Sequence, residues 1–206
     1  MTLPQGCTEA SRVAGGDINE GWRVTLPDGA DAFVKTRPHP NLGEYAAEAA
    51  GLRWLGAAGA LRTPAVLDVA EDHLALAWID TGALDAAGAE ELGRGLARTH
   101  AAGAPRFGDP DGIPTVWLGH LRLANEPAEG WPEFYAARRL EPLARAARDA
   151  GGLSAGGAEA VAAVCARIDE LAGPPESPAR LHGDLWWGNV LGDRHGRPGE
   201  LIDPCA

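Results

Sequence analysis

The tightest constraint on how this chain can fold lies in Leu181 to Leu191, LHGDLWWGNVL, and in LIDP at Leu201 to Pro204. His182-Gly183-Asp184 is followed by Asn189 five positions after the aspartate, and Asp203 comes 14 positions later behind the apolar pair Leu201-Ile202. Val190-Leu191 and Leu201-Ile202 can pair as a short hairpin across the polar turn Gly192 to Gly199, which brings Asn189 and Asp203 together at its open end. This is the spacing used in kinase-type phosphoryl transfer. There, one Asp accepts the proton of an attacking hydroxyl, an Asn five residues on ligates a metal, and a second Asp on a following strand holds Mg²⁺. Mg²⁺ takes oxygen ligands and combines one or two protein groups with phosphate oxygens and waters, so Asn189 and Asp203 are candidate metal ligands beside ATP. Asp184 is left to position a substrate hydroxyl. No covalent nucleophile is required, because such transfer rests on positioning and charge neutralisation.

The same chemistry asks for phosphate-binding groups upstream, and candidates stand in the required order. Gly15-Gly16-Asp17-Ile18-Asn19-Glu20-Gly21 falls between a strand ending near Val13 and another from Trp22 to Leu26. Glycines there let backbone amides approach nucleotide phosphates, although a glycine pair between strands also makes an ordinary hairpin turn. Pro27-Asp28-Gly29 is a turn signal, and DAFVKT at Asp31 to Thr36 predicts a strand ending in Lys35, 20 residues after Gly15. From Gly43 to Gly59 the alanine-rich pattern predicts a helix with Tyr45, Glu48, Leu52 and Leu55 on one face. Glu48 inside that apolar stripe needs a cation; Lys35 is the candidate, with Glu44 as the rival carboxylate. Two strands, Ala65 to Val69 and His73 to Trp78, complete a five-stranded antiparallel sheet with one helix. Trp78 to Asp80 then falls where kinase backbone groups hydrogen-bond adenine, which makes Trp78 and Asp80 candidate nucleotide contacts.

Ile79 to Gly82 reads as a hinge into a mainly helical region, with helices expected at Ala89 to Ala102, Trp131 to Ala150 and Ala158 to Leu171. His100 reads as structural, and Arg138-Arg139 as either an anion-facing or a solvated pair. Residues Gly103 to Gly130 show little periodicity, and a connection of that length is more often functional, such as a lid, than idle. The fold class is therefore α+β, a two-lobed protein kinase-like fold. An ATP-binding lobe covers residues 1–80, and a mainly helical lobe with the catalytic loop and metal-binding hairpin covers residues 81–206.

Charge narrows the partners. A net charge of −11 opposes nucleic acid and anionic membranes and suits a neutral or cationic substrate. No apolar run reaches the roughly 18 residues of a membrane span, and Met1 to Ala10 lacks the pattern of a signal peptide. Cys7, Cys165 and Cys205 are odd in number and widely spaced, as expected of free thiols in a cytoplasmic protein. The oligomeric state is left open.

GGDINEG at Gly15 to Gly21, FVKT at Phe33 to Thr36, the EYAAEAAGLRWL helix, WPEFYAARRLEPL at Trp131 to Leu143, and HGDLWWGNV with IDP together resemble the fructosamine kinase (ketosamine-3-kinase) family. That family belongs to the aminoglycoside phosphotransferase-like and protein kinase-like fold. The resemblance runs from about residue 10 to the end, and HGDLW followed by GN is its specific part. It implies that Lys35 contacts ATP phosphates with Glu48 orienting it, that Asp184 is the catalytic base, and that Asn189 and Asp203 hold Mg²⁺. It further implies phosphorylation of the sugar 3-hydroxyl of ketosamines, as small molecules or on glycated protein lysines, giving an unstable adduct and hence deglycation. Trp186 and Trp187 are candidate walls for the sugar, with packing as the alternative.

Two departures stand out. Asp17-Ile18 occupy the loop where some members carry a redox-active cysteine, and that regulation is not transferred to Cys7. The chain stops at Ala206, three residues past Asp203, where the family continues into further helices, so a truncated large lobe is expected. The alternatives are a small-molecule kinase of the aminoglycoside or choline kinase type, and an inactive nucleotide-binding module.

Overall fold

Strand alternation decides which side chains meet in the N-terminal half. The computed structural model describes residues 4, 6–13, 18–109 and 112–206. Strands β1 (Thr8–Val13), β2 (Glu20–Thr25) and β3 (Asp31–Thr36) form an antiparallel meander. Helix α1 (Glu44–Gly56) follows, then β4 (Val66–Val69) and β5 (His73–Ala77), giving one five-stranded sheet in the order β1-β2-β3-β5-β4. The β2–β3 turn is the one its composition announces: Gly29 adopts φ 86°, and Asp28 accepts from the Ala30 N–H at 3.0 Å.

Successive strand residues point to opposite faces. Val24, Ala32, Val34 and Ala75 therefore form one buried layer, closed by Trp22 and Leu26. Leu74 and Leu76 form the other with Phe33, and α1 covers it with Tyr45, Ala49 and Leu52. Lys35 shares the Phe33 face and so lies under the helix. The helix spans less than Gly43 to Gly59: Gly43, at φ 80°, precedes its first turn, and it ends at Gly56, where a side chain would strike Thr63.

Beyond the sheet, Thr81-Gly82 is a two-residue strand, β6, and the helical region opens only at α2 (Ala86–Ala101), capped by Asp85 accepting from the Gly88 N–H at 2.7 Å. The aperiodic stretch before Gly130 holds a hairpin, β7 (Thr115–Leu118) and β8 (Leu121–Ala124). Instead of one helix from Trp131 to Ala150, α3 (Trp131–Tyr135) runs through a π-helical turn (Ala136–Leu140) into α4 (Glu141–Asp149). The expected helix at Ala158 begins earlier, as α5 (Ala155–Ala166), because Ser154 caps it through the Gly157 N–H. It breaks at Arg167, whose ψ of 15° is not helical, and resumes as α6 (Ile168–Leu171).

The hairpin after Asn189 is present as β9 (Val190–Asp193) and β10 (Pro198–Leu201), in a small sheet of order β10-β9-β6. Its strands reach into the expected turn because glycine lets them close up; a Cβ on Gly199 would stand 2.2 Å from the Leu191 carbonyl oxygen. Leu201 N–H donates to the Arg62 carbonyl at 2.9 Å, which ties the hairpin to the chain leaving α1. Among the described residues, no helix is long and apolar enough to cross a membrane.

Leu52 is fully buried between α1 and the sheet. Leu52→Ala is expected to cost about 2 to 5 kcal/mol in urea unfolding, the range for a leucine cavity that cannot collapse. A cost below about 1 kcal/mol would show that α1 does not anchor the sheet.

Candidate functional site

Three separate elements deliver charge to one point. Lys35 Nζ, only 7% exposed as a residue, donates to Glu48 Oε1 at 2.8 Å and Oε2 at 3.0 Å, and to Asp203 Oδ1 at 2.5 Å. Burial works against the lysine's charge, but the Glu48 and Asp203 carboxylates outweigh it and hold the ammonium's pKa above its ordinary value. Burial pushes the Glu48 carboxyl up to about 7, opposed by Lys35 and reinforced by the nearby charge of Asp203. The rival carboxylate is occupied elsewhere: Glu44 pairs with Arg37 and accepts from the backbone and side chain of Asn41.

Asp203 sits at φ 54°, in the left-handed region, which an aspartate visits more readily than most residues but which persists only where neighbours hold it. Those neighbours come from the His182 to Asn189 segment. His182 Nε2 donates to the Ile202 carbonyl at 2.9 Å, Ile202 N–H donates to the Asn189 carbonyl at 3.1 Å, and Cys205 N–H donates to the His182 carbonyl at 2.9 Å. Gly183, at φ 81°, lies so close that a Cβ there would stand 1.9 Å from the Cys205 carbonyl oxygen. The Asp184 N–H approaches His182 Nδ1 at 3.4 Å, so the ring is the neutral tautomer with its proton on Nε2. Burial keeps its pKa below the ordinary histidine value, against the pull of the Ile202 bond and the two aspartates.

Asn189, buried on a 3₁₀ turn (Trp187–Asn189), donates through Nδ2 to the Asp184 carbonyl at 2.8 Å and reaches Asp184 Oδ2 at 3.5 Å. Its amide nitrogen thus faces Asp184, which turns Oδ1 the other way. The oxygen set of Asn189 and Asp203 fits Mg²⁺, which binds few protein groups when phosphates supply the remainder. Consistent with so sparse a set, the described residues contain no cluster of three or more His, Cys, Asp or Glu able to hold a metal unaided.

Of the other candidates, Gly15, Gly16 and Asp17 lie outside the described residues. Ile18 is at the surface, and Asn19 accepts from the Tyr45 hydroxyl at 3.1 Å, joining the end of that loop to α1. Trp78 Nε1 donates to Asp80 at 3.2 Å while Arg23, which also pairs with Asp31, lies 4.4 Å over the Trp78 ring. Trp186 and Trp187 meet edge to face at 5.0 Å and stand 52% and 84% exposed beside the loop, so packing does not account for Trp187. A cavity of about 490 Å³ lies elsewhere, between Gly56 to Thr63, α2 and Pro198 to Glu200, and includes none of these groups.

Sequence reasoning missed two groups around the site. One is Arg37, whose pairing with Glu44 and contact with His120 at 3.2 Å were hidden by its place in a loop of prolines. The other is Asn125, 1% exposed and held by Arg139; only the unexplained arginine pair hinted at it.

The family model for fructosamine kinases matches residues 2–206. A probable ketoamine kinase of Thermus thermophilus is 36% identical over 190 residues, covering 92% of this chain and 64% of its own length. A chloroplastic protein-ribulosamine 3-kinase of Arabidopsis thaliana is 29% identical over 204 residues, covering 97% of this chain and 61% of its own length. Among solved structures, a candidate fructosamine-3-kinase from Thermobifida fusca superposes with a TM-score of 0.86 at 38% identity, over 97% of this chain and 69% of that one. The aminoglycoside phosphotransferase APH(4)-Ia, solved with AMP-PNP and hygromycin B, reaches 0.60 at 16% identity over 96% of this chain and 66% of that one, a likeness of fold alone. The chain spans roughly two thirds of the length of these relatives. With HGDLWWGN closing on Asp203 and Lys35 as described, this chain belongs to the fructosamine kinase family.

Proposed function

We propose that this chain is the catalytic part of an ATP-dependent kinase that phosphorylates the 3-hydroxyl of ketosamines, including fructosamine and ribulosamine adducts on protein lysines, in the cytoplasm. The observation that carries this reading is the buried ammonium of Lys35, held jointly by Glu48 and Asp203 within one hydrogen-bonded frame that includes Asp184 and Asn189. In this reading residues 1–80 form the ATP-binding lobe, with Gly15 to Asn19 covering the phosphates and Trp78 to Asp80 at the adenine, and residues 81–206 form the second lobe.

Lys35, oriented by Glu48, carries the positive charge that meets the α- and β-phosphates. Asn189 Oδ1 and an Asp203 carboxylate oxygen would hold Mg²⁺. When bound, the ion neutralises charge on the transferring phosphoryl group. Asp184 accepts the proton of the sugar 3-hydroxyl as that oxygen bonds to the γ-phosphorus of ATP and the bond from that phosphorus to the β–γ bridging oxygen breaks, with ADP leaving; the Asn189 amide fixes the Asp184 segment by donating to the Asp184 carbonyl. Trp186 and Trp187 offer flat apolar faces to sugar C–H groups at the mouth of the site. The net charge of −11 favours an acceptor that still bears an amine.

The test is ADP release from Mg-ATP with fructosyl-lysine, ribulosyl-lysine or an aminoglycoside as acceptor. Turnover is expected on a ketosamine; turnover on the aminoglycoside alone, or on none of the three, overturns the reading. Asp184→Asn is expected to lower kcat about 100-fold or more with a melting temperature close to that of the parent. A fall in melting temperature comparable to that of a core variant would make Asp184 structural instead.

His182 gives a pH signature. The folded state keeps the neutral ring, whereas the unfolded chain takes up a proton near the ordinary value of 6.5. The unfolded state binds more protons just below that pH, so the contribution of His182 is complete above it and falls on acidification. Glu48, raised to about 7 in the folded state, acts in the opposite sense over the same range, so the signature of His182 is a difference: from about pH 7.5 down to about pH 5.5 the melting temperature of His182→Gln should shift upward relative to that of the parent. Parallel slopes would remove His182 from the account.

A further inference from the structure

We propose that Asn125 and Arg139 are positioning residues that hold Asp203 in place from outside the catalytic loop; the consequence for metal binding rests on the function proposed above. Asn125 ends the hairpin β7–β8, and its backbone N–H donates to the Pro114 carbonyl at 2.8 Å. Its side chain is used at both ends. Oδ1 accepts from Arg139 Nη2 at 2.6 Å, and Nδ2 donates to the carbonyl of Ala206 at 3.2 Å. An amide in this orientation, once fixed by a guanidinium, can only donate toward Ala206.

Arg139 is itself fixed. Its Nη1 donates to the Ala124 carbonyl at 2.9 Å and to the Arg138 carbonyl at 3.0 Å, and its guanidinium lies 4.7 Å from the Phe134 ring centroid. These partners are carbonyls, an amide and a ring, with no carboxylate among them in the described residues. The π-helical turn at Ala136–Leu140 explains how this is possible. A widened turn disturbs the regular i to i−4 ladder, and within it the Arg138 carbonyl accepts from a side chain.

The consequence falls on Asp203. Residue 205 is pinned by its N–H to the His182 carbonyl, and residue 206 by its carbonyl to Asn125, so the backbone just past Asp203 is gripped from two directions. On the other side, Ile202 N–H is bound to the Asn189 carbonyl. A non-glycine residue at φ 54° needs such flanking restraints, because its own preference is to leave that region. Release of Ala206 frees the backbone to relax, which carries the Asp203 carboxylate away from Lys35. The opposite end of the same hairpin reaches Arg37 through His120, and a Cβ on Gly119 would lie 3.4 Å from Ile18. One β-hairpin therefore spans from the Asp203 segment to the end of the glycine-rich loop.

Four variants separate this role from mere packing: Asn125→Ala; Asn125→Asp, which keeps the acceptor for Arg139 but loses the donor to Ala206; Arg139→Lys; and Val24→Ala as a core control remote from the site. In the free protein, amide hydrogen exchange at Ile202 and Cys205 is expected to rise about five- to tenfold in both Asn125 variants relative to amides of β2 and β3, the effect of one lost hydrogen bond. Val24→Ala is expected to show no such selectivity. The Mg²⁺ concentration that half-saturates ADP binding, measured by calorimetry, should rise by a similar factor in both Asn125 variants and stay unchanged in Val24→Ala. Arg139→Lys should fall between Asn125→Ala and the parent. Exchange that rises evenly along the chain, or that leaves Ile202 and Cys205 protected, overturns the proposal. If the parent binds no Mg-ADP, the functional reading fails, while the exchange result still decides the positioning role.

Discussion

A single buried ammonium has to satisfy two carboxylates, and much of the structure arranges for this. Lys35 comes from a strand, Glu48 from the helix lying over that strand, and Asp203 from the segment past a hairpin 168 residues further along. Lys35 and Glu48 do not tolerate removal of their partners easily, whereas Asp203, its side chain 45% exposed, is partly screened by solvent. A buried charge left unpaired costs several kcal/mol, about 3 to 5 where a buried pair is broken from one side. The alternation of β3 places Lys35 beneath α1, the helical period places Glu48 above it, and Arg37 takes Glu44 out of competition. What remains is to bring Asp203 to the same point, and the small sheet β10-β9-β6 with the His182 bonds accomplishes that.

How much of this could be read in advance follows from the distance over which each signal acts. The spacing of Asp184, Asn189 and Asp203 is local, since one loop and one hairpin contain it; the hairpin forms from the expected segments, but its register sets Val190 against Leu201 and Leu191 against Glu200 and leaves Ile202 outside the strand. Lys35 with Glu48 was legible because two periodicities, that of a strand and that of a helix, each point a charge into an apolar layer. The apolar stripe favoured Glu48 over Glu44, but what removes Glu44 as a rival, its pairing with Arg37, was not legible, because Arg37 has no pattern around it. The hairpin β7–β8 escaped because four-residue strands flanked by Gly and Pro are too short to display alternation. The π-helical turn and the break at Arg167 escaped for a related reason, since a helix whose hydrogen bonding shifts by one residue keeps nearly the same composition. The contact of Asn125 with Ala206 crosses 81 residues and involves a backbone carbonyl, so it has no sequence signature at all.

The chemistry and the fold are also divided in an uneven way. Groups that carry charge in the site are few and come from short segments, whereas the groups that hold those segments are mostly backbone: the carbonyls of His182, Asn189, Ile202 and Ala206 and the amides of Ile202 and Cys205. Geometry kept by backbone bonds survives side-chain replacement around it, which is compatible with a fold held in common with APH(4)-Ia at 16% identity. Trp187, 84% exposed, belongs to the other category, whereas Trp186 is half-buried and its ring lies against Gly188.

Gly51 shows where the tolerance ends. It lies in the middle of α1, one turn beyond Glu48, and a Cβ there would stand 3.0 Å from Pro204 Cγ and 3.4 Å from Pro204 Cβ. The helix and the Asp203 segment thus meet across a gap too narrow for one more carbon atom unless the proline ring gives way by a few tenths of an ångström. That gap acts as a gauge block between the two carboxylates that share Lys35. Its thickness is set by the lack of a side chain, so the reach of the lysine is calibrated by a residue that carries no charge and takes no part in the hydrogen bonding of the site.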